Sequence, residues 1–325
     1  MLKNIVKNII KFGIAFGLIY WLVESGKLDF SLLKQVFSSP LTILAITALM
    51  LTDHFIVAVR LKLILMRKAS KNLSTFKIFI SNWIGIFFNA VLPGSVTGDV
   101  IKVFYLQDLD EKLDKKFLLV AVFMDRVMGL IGLVTIGGII SGINYSTLSS
   151  LSNDVKILVQ VNLFILLCVV LTLLTLFFYQ KLPHQIAKPF RDIKILGNII
   201  KKLEVLWNDL CLFRNNIIKL LVLSIFIQAF AIIIFWYIAE PYAAGEFTLA
   251  TAFTVLPAGM ISIAIPIAPG GLGVGHVVFE KLLAFFNISN GADLFNIYFF
   301  FVLFTNLTGV VPYMLYRKKS KEIKK

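Results

Sequence analysis

Residues Ile217–Ala239 read IIKLLVLSIFIQAFAIIIFWYIA and contain one charged side chain, Lys219. A helix needs about 20 apolar residues to cross the hydrocarbon core of a bilayer, so this stretch predicts a transmembrane helix. Further runs of the same character cover residues 5–23, 41–59, 117–140, 157–179 and 294–316. The sequence therefore predicts six transmembrane helices.

The composition of the whole chain agrees with a bilayer environment. The 325 residues are 58% hydrophobic and only 15% charged, whereas soluble domains contain about 25% charged residues. So few charges cannot cover a water-soluble surface, which excludes a soluble enzyme, a nucleic-acid-binding domain and a disordered tail. The net charge of +14 predicts basic cytoplasmic loops and attraction to anionic headgroups. Cys168 and Cys211 predict neither a disulfide nor a metal site.

Two further apolar stretches, residues 76–106 and 249–286, are interrupted by proline and glycine. The breaks fall at Leu92, Pro93 and Gly94 in the first stretch, and at Pro266, Pro269, Gly270 and Gly271 in the second. These residues remove helical hydrogen bonds. Each stretch therefore predicts either a hairpin that enters the membrane and returns or a single kinked crossing.

The distribution of basic residues favours the hairpins. Of the 32 Lys and Arg residues, 27 lie at residues 3–11, 60–77, 102–116, 181–219 and 317–325. Basic loops are retained in the cytoplasm. A single crossing by the first broken stretch would export Lys102 and the lysines after it, whereas a hairpin keeps every basic segment inside. By the same rule, the second broken stretch enters from the outside and returns there.

The order span, span, hairpin and span then occurs twice, with opposite orientations. We expect an all-α, polytopic membrane helix bundle of six transmembrane helices plus two opposed re-entrant hairpins, which form an inverted repeat. One transmembrane domain covers residues 1–325, with the first repeat at 1–140 and the second at 157–325. The expected location is the cell inner (cytoplasmic) membrane, as a multi-pass protein with both termini cytoplasmic. Broken helices related by such a repeat are typical of a transport site.

Residues 181–216 have apolar side chains at spacings of three and four between charges. This spacing predicts a cytoplasmic amphipathic interfacial helix. It can lie on anionic lipid or cover the end of the bundle. The two roles are compatible, and neither assigns a chemistry.

The first hairpin tip contains a candidate anion site. If its second half-helix starts near Ser95 or Thr97, unpaired backbone N–H groups and the positive end of the helix dipole lie at the tip. A phosphate or carboxylate binds well there. Asp99 and Lys102 follow within the first turns. Asp99 is then either a helix cap or the counter-charge of a basic partner.

Asp125 and Arg126 are adjacent in a predicted span. Neighbouring side chains on a helix point about 100° apart, so each of the two needs a partner elsewhere. The Arg126 guanidinium suits a phosphate because it stays charged and binds oxyanions through two hydrogen bonds. The alternative is a structural ion pair of Arg126 with Asp99 or with Asp53.

The second hairpin returns through a glycine-rich segment that ends at Gly273, and His276 and Glu280 follow it on one helix face. Two such ligands without further His or Cys make a weak metal site, so no metal is expected. Proton handling is the better functional interpretation of the pair. A local structural pair is better still, with Lys281 extending to the outer surface.

The sequence lacks a phosphate-binding loop of the G-x-x-x-x-G-K-[ST] type, a G-x-S-x-G elbow and an H-E-x-x-H motif. We therefore expect no catalytic residues, no cofactor and no enzymatic activity. An intramembrane enzyme would need a nucleophile and a base. Only Asp53 with His54, and His276 with Glu280, suggest such a pair.

Three groups of residues together point to one known family. They are Asn89, Leu92, Pro93, Gly94, Gly98, Asp99 and Lys102, then Asp125 and Arg126, then Pro269, Gly270, Gly271, Leu272, Gly273 and Val274. In this combination the chain resembles the lysylphosphatidylglycerol synthase transmembrane region, also called the flippase-like membrane family. The resemblance covers nearly the whole chain. It implies an integral inner-membrane protein that moves or handles lipids, including aminoacylated phospholipids, lipid-linked sugars and hopanoid-type lipids.

The chain departs from the family pattern in three places. It ends at Lys325 without a soluble aminoacyl-transfer domain, so it resembles the stand-alone members and is not expected to synthesise lysyl-lipid. Val96, Thr97 and Gly98 stand where a glycine pair more usually precedes the aspartate. His276 occupies the place of a common glutamate, and Glu280 is the candidate replacement.

These features predict a lipid flippase or lipid transporter that moves an anionic or lipid-linked headgroup across the cytoplasmic membrane. The headgroup would lie between the two hairpin tips, near Thr97, Lys102 and Arg126, while the acyl chains stay in the bilayer. The alternative is a non-transporting lipid-binding scaffold for lipid- or glycan-synthesis enzymes. The expected partners are anionic membrane lipids and, for the scaffold, those enzymes. Nucleic acid is not an expected partner.

Overall fold

A computed structural model of the protein describes Tyr20, Glu24 and residues 31–36, 38–92, 97–190, 196–264 and 273–315. Regular structure in these residues is entirely helical, as predicted. The helices are α1 (Ser31–Val36), α2 (Pro40–Leu65), α3 (Thr75–Val91), α4 (Thr97–Gln107), α5 (Lys115–Ile143), α6 (Tyr145–Ser149), α7 (Asn153–Phe178), α8 (Leu182–Ala187), α9 (Leu196–Leu212), α10 (Ile217–Ala239), α11 (Leu249–Ala264), α12 (Val274–Ala284) and α13 (Gly291–Leu307).

Five helical segments in the described residues are long and apolar enough to cross a membrane. They are Pro40–Leu65, Lys115–Ile143, Asn153–Phe178, Arg214–Tyr242 and Gly291–Leu315. Each contains or overlaps one of the predicted spans. The predicted first span, at residues 5–23, lies almost entirely outside the described residues.

Side-chain caps fix where several of the long helices begin. Ser39 precedes α2 and accepts a hydrogen bond from the Thr42 backbone N–H, with Pro40 at the first helical position. Asp114 accepts one from the Phe117 N–H at the start of α5, at 2.7 Å. Ser152 does the same for α7. Such caps satisfy backbone donors that a helix start leaves unpaired, and proline fits the first turn because it lacks that donor.

The two interrupted stretches form two pairs of shorter helices. α3 and α4, with 17 and 11 residues, pack against each other, and so do α11 and α12, with 16 and 11 residues. In the first pair Gly98 packs against Gly85, while Lys102 reaches Asn82. Residue numbers thus rise along one helix as they fall along the other, so α3 and α4 run antiparallel.

The segments that flank the first helix pair are joined to each other. The Asp110 carboxylate accepts hydrogen bonds from the Ser70 hydroxyl and from the backbone N–H groups of Ser70, Lys71 and Lys112. The bond from Lys112, followed by those from Ser70 and Lys71, holds the pKa of Asp110 below its usual value. Lys68 also pairs with Asp114. The basic segments 60–77 and 102–116 therefore lie together, at one end of the bundle.

The segments that flank the second helix pair are joined in the same way. The Asn290 side chain donates to the Tyr242 carbonyl and accepts from the Ala244 N–H, at 2.8 and 2.9 Å. The Ser289 N–H donates to the Ala244 carbonyl. The second helix pair therefore also begins and ends at a single end of the bundle.

The buried core consists of clusters stacked along the bundle. One cluster contains Leu73 and Leu113 beside the basic segments, with the first turns of α5 and α10. Another contains Leu148, between α5 and α7, and Ile288, between α12 and α13, with the last turns of α5 and α10. Helices α5 and α10 run from the first cluster to the second and pack against each other. The two helix pairs therefore open at opposite ends of the bundle.

Helix α7 is the most peripheral of the long helices. Only 11% of its most apolar window is buried within the protein. The Asn162 amide donates to the Ser141 hydroxyl of α5 and to the Thr254 carbonyl of α11, at 3.0 and 3.2 Å. Asn162 is thus a polar anchor on a helix whose other buried side chains are Val155, Val159 and Leu176.

Residues 181–216 are helical wherever they are described. They contain α8, α9 and two short 3-10 turns. His184 of α8 lies 3.3 Å from a Glu204 carboxylate oxygen of α9, and Trp207 donates to the Gln180 carbonyl. The apolar side chains Ile186, Leu203 and Val205 are exposed. The segment is therefore folded against the basic end of the bundle with apolar side chains left on its outside.

The placement of the two ends across the membrane is a prediction that labelling can test. In a chain whose Cys168 and Cys211 are replaced by serine, we expect Ser289→Cys to react with an impermeant thiol reagent added outside intact cells. Lys112→Cys, also exposed, is expected to react only after the membrane is opened, because basic segments remain cytoplasmic. Reaction of Lys112→Cys from outside would reverse the assigned orientation.

Candidate functional site

Four polar side chains meet where α5 packs against the first helix pair. The Arg126 Nε of α5 lies 2.5 Å from Asp99 Oδ2, and the Lys102 Nζ lies 3.7 Å from Asp99 Oδ1. Lys102 also donates to the Asn82 side-chain oxygen of α3, at 3.0 Å. We call Asn82, Asp99, Lys102 and Arg126 the hairpin cluster. It joins α3, α4 and α5.

Arg126 is the member of the hairpin cluster that reaches the outside of the bundle. Its side chain is 44% exposed, whereas Asp99 and Lys102 are buried. On α5 it shares an exposed stripe with Leu119, Phe123 and Leu130, at helical spacings of three and four. Arg126 lies about 17 Å along the helix axis from Lys115, well inside the length that crosses hydrocarbon. A cation therefore stands among lipid-facing apolar side chains.

The hairpin cluster contains more positive than negative charge. Lys102 and Arg126 contribute two cations, and Asp99 contributes one carboxylate. Their sum of +1 stands at a depth where charge is costly and electrostatic interactions are strong. The arrangement confirms an ion pair between Arg126 and Asp99, which was one of the alternatives for Arg126.

Asn89 of α3 binds the backbone of α4 within the first helix pair. The Asn89 side-chain oxygen of α3 accepts a hydrogen bond from the Gly98 backbone N–H, at 2.7 Å. The described part of α4 starts at Thr97, so the Gly98 N–H that Asn89 occupies belongs to the second described residue of this helix. Pro93 and Gly94 lie outside the described residues. The anion-binding capacity of the tip itself therefore stays a prediction.

Asp125 belongs to a separate buried arrangement. The Arg60 Nε lies 2.8 Å from Asp125 Oδ1, and another Arg60 nitrogen donates to the Ser224 hydroxyl of α10, at 3.0 Å. Both charged side chains are almost fully buried. Three long helices, α2, α5 and α10, are thus joined by one ion pair and one hydroxyl. This geometry assigns Asp125 to the packing of the bundle rather than to a lipid-facing site.

Sequence reasoning missed the role of Arg60. It assigned residues 60–77 to a cytoplasmic basic segment, but α2 continues to Leu65 and buries Arg60. A signal was present, because apolar residues continue beyond Arg60 at Leu61 and at positions 63–66, interrupted only by Lys62. A charge so placed requires a partner. Lys102, also assigned to a basic segment, is likewise buried in the bundle.

The second helix pair places its polar groups against α13. His276 Nδ1 accepts from the Gly273 N–H at 3.3 Å, and His276 Nε2 lies 3.2 Å from the Asn296 side-chain oxygen. Glu280 accepts from the Ala292 N–H at 3.0 Å. His276 and Glu280 therefore both connect α12 to α13, which gives each of them a structural contact there.

Gly273 has a φ of 78°, a conformation that favours glycine, directly before α12. The remaining glycine-rich residues of this tip, Pro269, Gly270 and Gly271, lie outside the described residues. Within the part of the chain that the structure describes, three or more His, Cys, Asp or Glu side chains are nowhere grouped as metal ligands would be.

Comparison with curated proteins finds no significant match, and comparison with solved structures finds none either. A family model described as the lysylphosphatidylglycerol synthase TM region matches residues 8–312. The match includes every helix described above and all the residues of the hairpin cluster. The chain is therefore a multi-pass, helical membrane protein that belongs to the lysylphosphatidylglycerol synthase TM region family, whose name connects it with lipid-related processes.

Proposed function

We propose that the protein is a lipid flippase or lipid transporter that binds an anionic headgroup at the hairpin cluster. The observation that carries the proposal is the half-exposed Arg126 on the lipid-facing stripe of α5. A lipid that diffuses within the bilayer can reach Arg126 from the side. Neither an aqueous channel nor a soluble carrier is needed for that approach.

The charge of the hairpin cluster matches a phosphodiester. A phosphodiester headgroup carries one negative charge, and the cluster carries one unit of positive charge in excess. Guanidinium groups bind such oxyanions strongly because both partners are charged and because the planar guanidinium can donate two parallel hydrogen bonds to two phosphate oxygens. Asp99 is the counter-charge that stabilises Arg126 when lipid is absent. Exchange of Asp99 for phosphate would let the cluster bind and release a headgroup.

Apolar surface next to the cluster provides a path for acyl chains. Phe123 and Leu119 of α5 and Val100 and Phe104 of α4 are exposed on the two helices that hold Arg126 and Asp99. Acyl chains can pack there while the headgroup contacts Arg126. The opposed helix pairs supply the elements whose relative movement would expose the headgroup first at one membrane face and then at the other.

The alternative is a lipid-binding scaffold that does not move lipid. The exposed side chains Ile186, Leu203 and Val205 of the segment 181–216 favour it, because they leave an apolar surface at the basic end of the bundle. That surface could lie on the membrane or against a lipid- or glycan-synthesis enzyme. Transbilayer lipid movement separates the two functions, since a scaffold binds lipid without moving it.

The test is reconstitution of the full chain into liposomes with a fluorescent phosphatidylglycerol. Wild-type protein is expected to move this lipid between leaflets, and Arg126→Ala to slow it by about 10- to 100-fold, since a hydrogen bond to a charged group contributes about 1.5–3 kcal/mol. Lys281→Ala is the matched control, because Lys281 is an exposed lysine on α12. Its rate is expected to equal that of wild type.

Thermal stability must be measured in the same samples, because Arg126 also forms an ion pair with Asp99. Arg126→Lys retains the charge and loses the two-bond geometry, so we expect an intermediate rate at near wild-type thermal stability. A folded Arg126→Ala protein that moves lipid at the wild-type rate would overturn the proposed role of Arg126. Lipid binding by wild type without any movement would favour the scaffold.

A further inference from the structure

A small cavity lies between helices α2, α10 and α13, none of which carries a residue of the hairpin cluster. Its volume is about 100 Å³, and it is open on one side. The lining includes Asp53 and His54 of α2, Ala231 and Ile234 of α10, and Tyr298 and Val302 of α13. Asp53 is residue 14 of the 26 in α2. The cavity therefore lies close to the middle of a membrane-spanning helix.

Asp53, which lines this cavity, has one unsatisfied carboxylate oxygen. Its Oδ1 atom is inaccessible to solvent and has no hydrogen-bond partner in the described structure. An ionised carboxylate in such a position loses hydration without replacement, which strongly disfavours the charged form. A proton on the carboxyl group removes this cost, because the neutral acid needs far less solvation.

A metal ion does not fit the lining. Hard cations take about six or more oxygen ligands. The polar groups of the cavity are the Asp53 carboxyl, the His54 ring and the Tyr298 hydroxyl. The other lining side chains are apolar, apart from the thioether of Met50. A proton needs only one acceptor. The lining therefore selects a proton over a metal ion.

The charged and titratable groups near this carboxyl come from several helices. On α2 they are His54, which is hydrogen-bonded by the Asn306 side chain, and Arg60, two turns further along. Arg60 is already paired with Asp125 of α5, and α13 contributes Tyr298. The charged or titratable residues of α10 and α3, the other helices packed on α2, are Lys219, Tyr237 and Lys77, all exposed.

Within the ranges that the structure describes, Asp53 forms no ion pair with these neighbours. Arg60 attracts the Asp53 carboxylate electrostatically, but it shares its charge with Asp125 at 2.8 Å. Movement of α5 relative to α2 would change how much of the Arg60 charge acts on Asp53. Protonation of Asp53 and the position of α5, which also carries Arg126, would then influence each other reciprocally.

We propose that Asp53 binds a proton in this cavity and that its protonation is linked to lipid movement, a linkage that rests on the function proposed above. In the step concerned, an O–H bond forms at the Asp53 carboxylate with a proton taken from water, and the same bond breaks when the proton returns to water. No other group is oxidised, reduced or transferred. A proton gradient could in this way drive or bias lipid movement.

Infrared difference spectroscopy of the full chain in lipid nanodiscs tests the proton site directly. The stretching band of a protonated carboxyl group is expected to persist above about pH 5, where ordinary aspartates are ionised. Asp53→Asn is expected to lose this band, and it should fold, because the amide resembles the neutral acid in shape. Asp108→Asn, which alters an exposed aspartate, is the matched control and should keep the band.

A second measurement tests the linkage in liposomes with fluorescent phosphatidylglycerol. An imposed pH gradient is expected to change the wild-type rate of lipid movement, and Asp53→Asn is expected to lose this response while Asp108→Asn keeps it. A band that Asp53→Asn leaves unchanged would overturn the proton site. A band that disappears with Asp53, in a protein whose lipid movement ignores the gradient, would overturn the linkage alone. Absence of any lipid movement would overturn the proposed function, and with it the linkage, while the infrared result would still decide the site.

Discussion

Arg60→Ala is expected to lower the free energy of unfolding by about 3–5 kcal/mol, because it leaves the buried Asp125 carboxylate without its partner. Arg60 and Asp125 are 4% and 6% exposed, and Ser224 loses its donor as well. The measurement is thermal unfolding in a mild detergent. Lys68→Ala is the matched control, since the Lys68 pair with Asp114 is exposed to solvent and such pairs contribute little.

The double variant Arg60→Met with Asp125→Leu separates pairing from charge burial. It removes both charges together, and buried ion pairs replaced by apolar residues of similar volume often regain stability. We therefore expect the double variant to be more stable than Arg60→Ala. Equal unfolding temperatures for Arg60→Ala and wild type would show that α2, α5 and α10 do not depend on this ion pair.

Gly98→Val is expected to prevent close packing of α3 against α4. A Cβ atom at Gly98 would collide with the Gly85 carbonyl oxygen and would lie 2.7 Å from the Asn89 backbone nitrogen. Both contacts are with backbone, which cannot move aside as a flexible side chain can. Overpacking costs about 1–3 kcal/mol and occasionally more, and we expect a loss at or above the top of that range.

Gly142→Val is the matched control for Gly98→Val. A Cβ atom at Gly142 would meet only a terminal carbon of Leu163, at 3.3 Å, so the thermal stability should change little. Phosphatidylglycerol binding is measured in the same samples. A Gly98→Val protein with wild-type stability and weakened lipid binding would contradict the packing role of Gly98 and assign this glycine to the lipid site instead.

Hydropathy and charge predicted the helical membrane fold well, because bilayer thickness sets the length of apolar runs. The same signals misplaced Arg60 and Lys102. A basic residue at the end of an apolar run looks like a cytoplasmic flank, whether the helix stops there or continues for one more turn. Whether such a residue is buried depends on tertiary packing: on α5 and α10 against α2 for Arg60, and on α3 against α4 for Lys102.

The candidate site was predictable in part. Residue type and spacing indicated that Arg126 needs a partner, and Asp99 was one of two candidates. The exposed stripe of α5 could not be foreseen, since it depends on which faces α4 and α10 cover. His276 and Glu280 share a helix face as predicted. Their bonds reach α13, to Asn296 and Ala292, which lie 20 and 12 residues further along the chain, and helical periodicity cannot reveal such contacts.

The anchoring of α7 by Asn162 has a consequence for how the bundle assembles. Lipid tails solvate an apolar helix face as well as protein does, so helices inserted in a bilayer associate through packing and polar contacts rather than through the hydrophobic effect. With little buried surface, α7 depends on its amide to select a depth and rotation beside α5 and α11. Helix α7 should therefore pack late, after α5 and α11 have brought the Ser141 hydroxyl and the Thr254 carbonyl together. Its packing would then show that α11 has reached its native position beside α5.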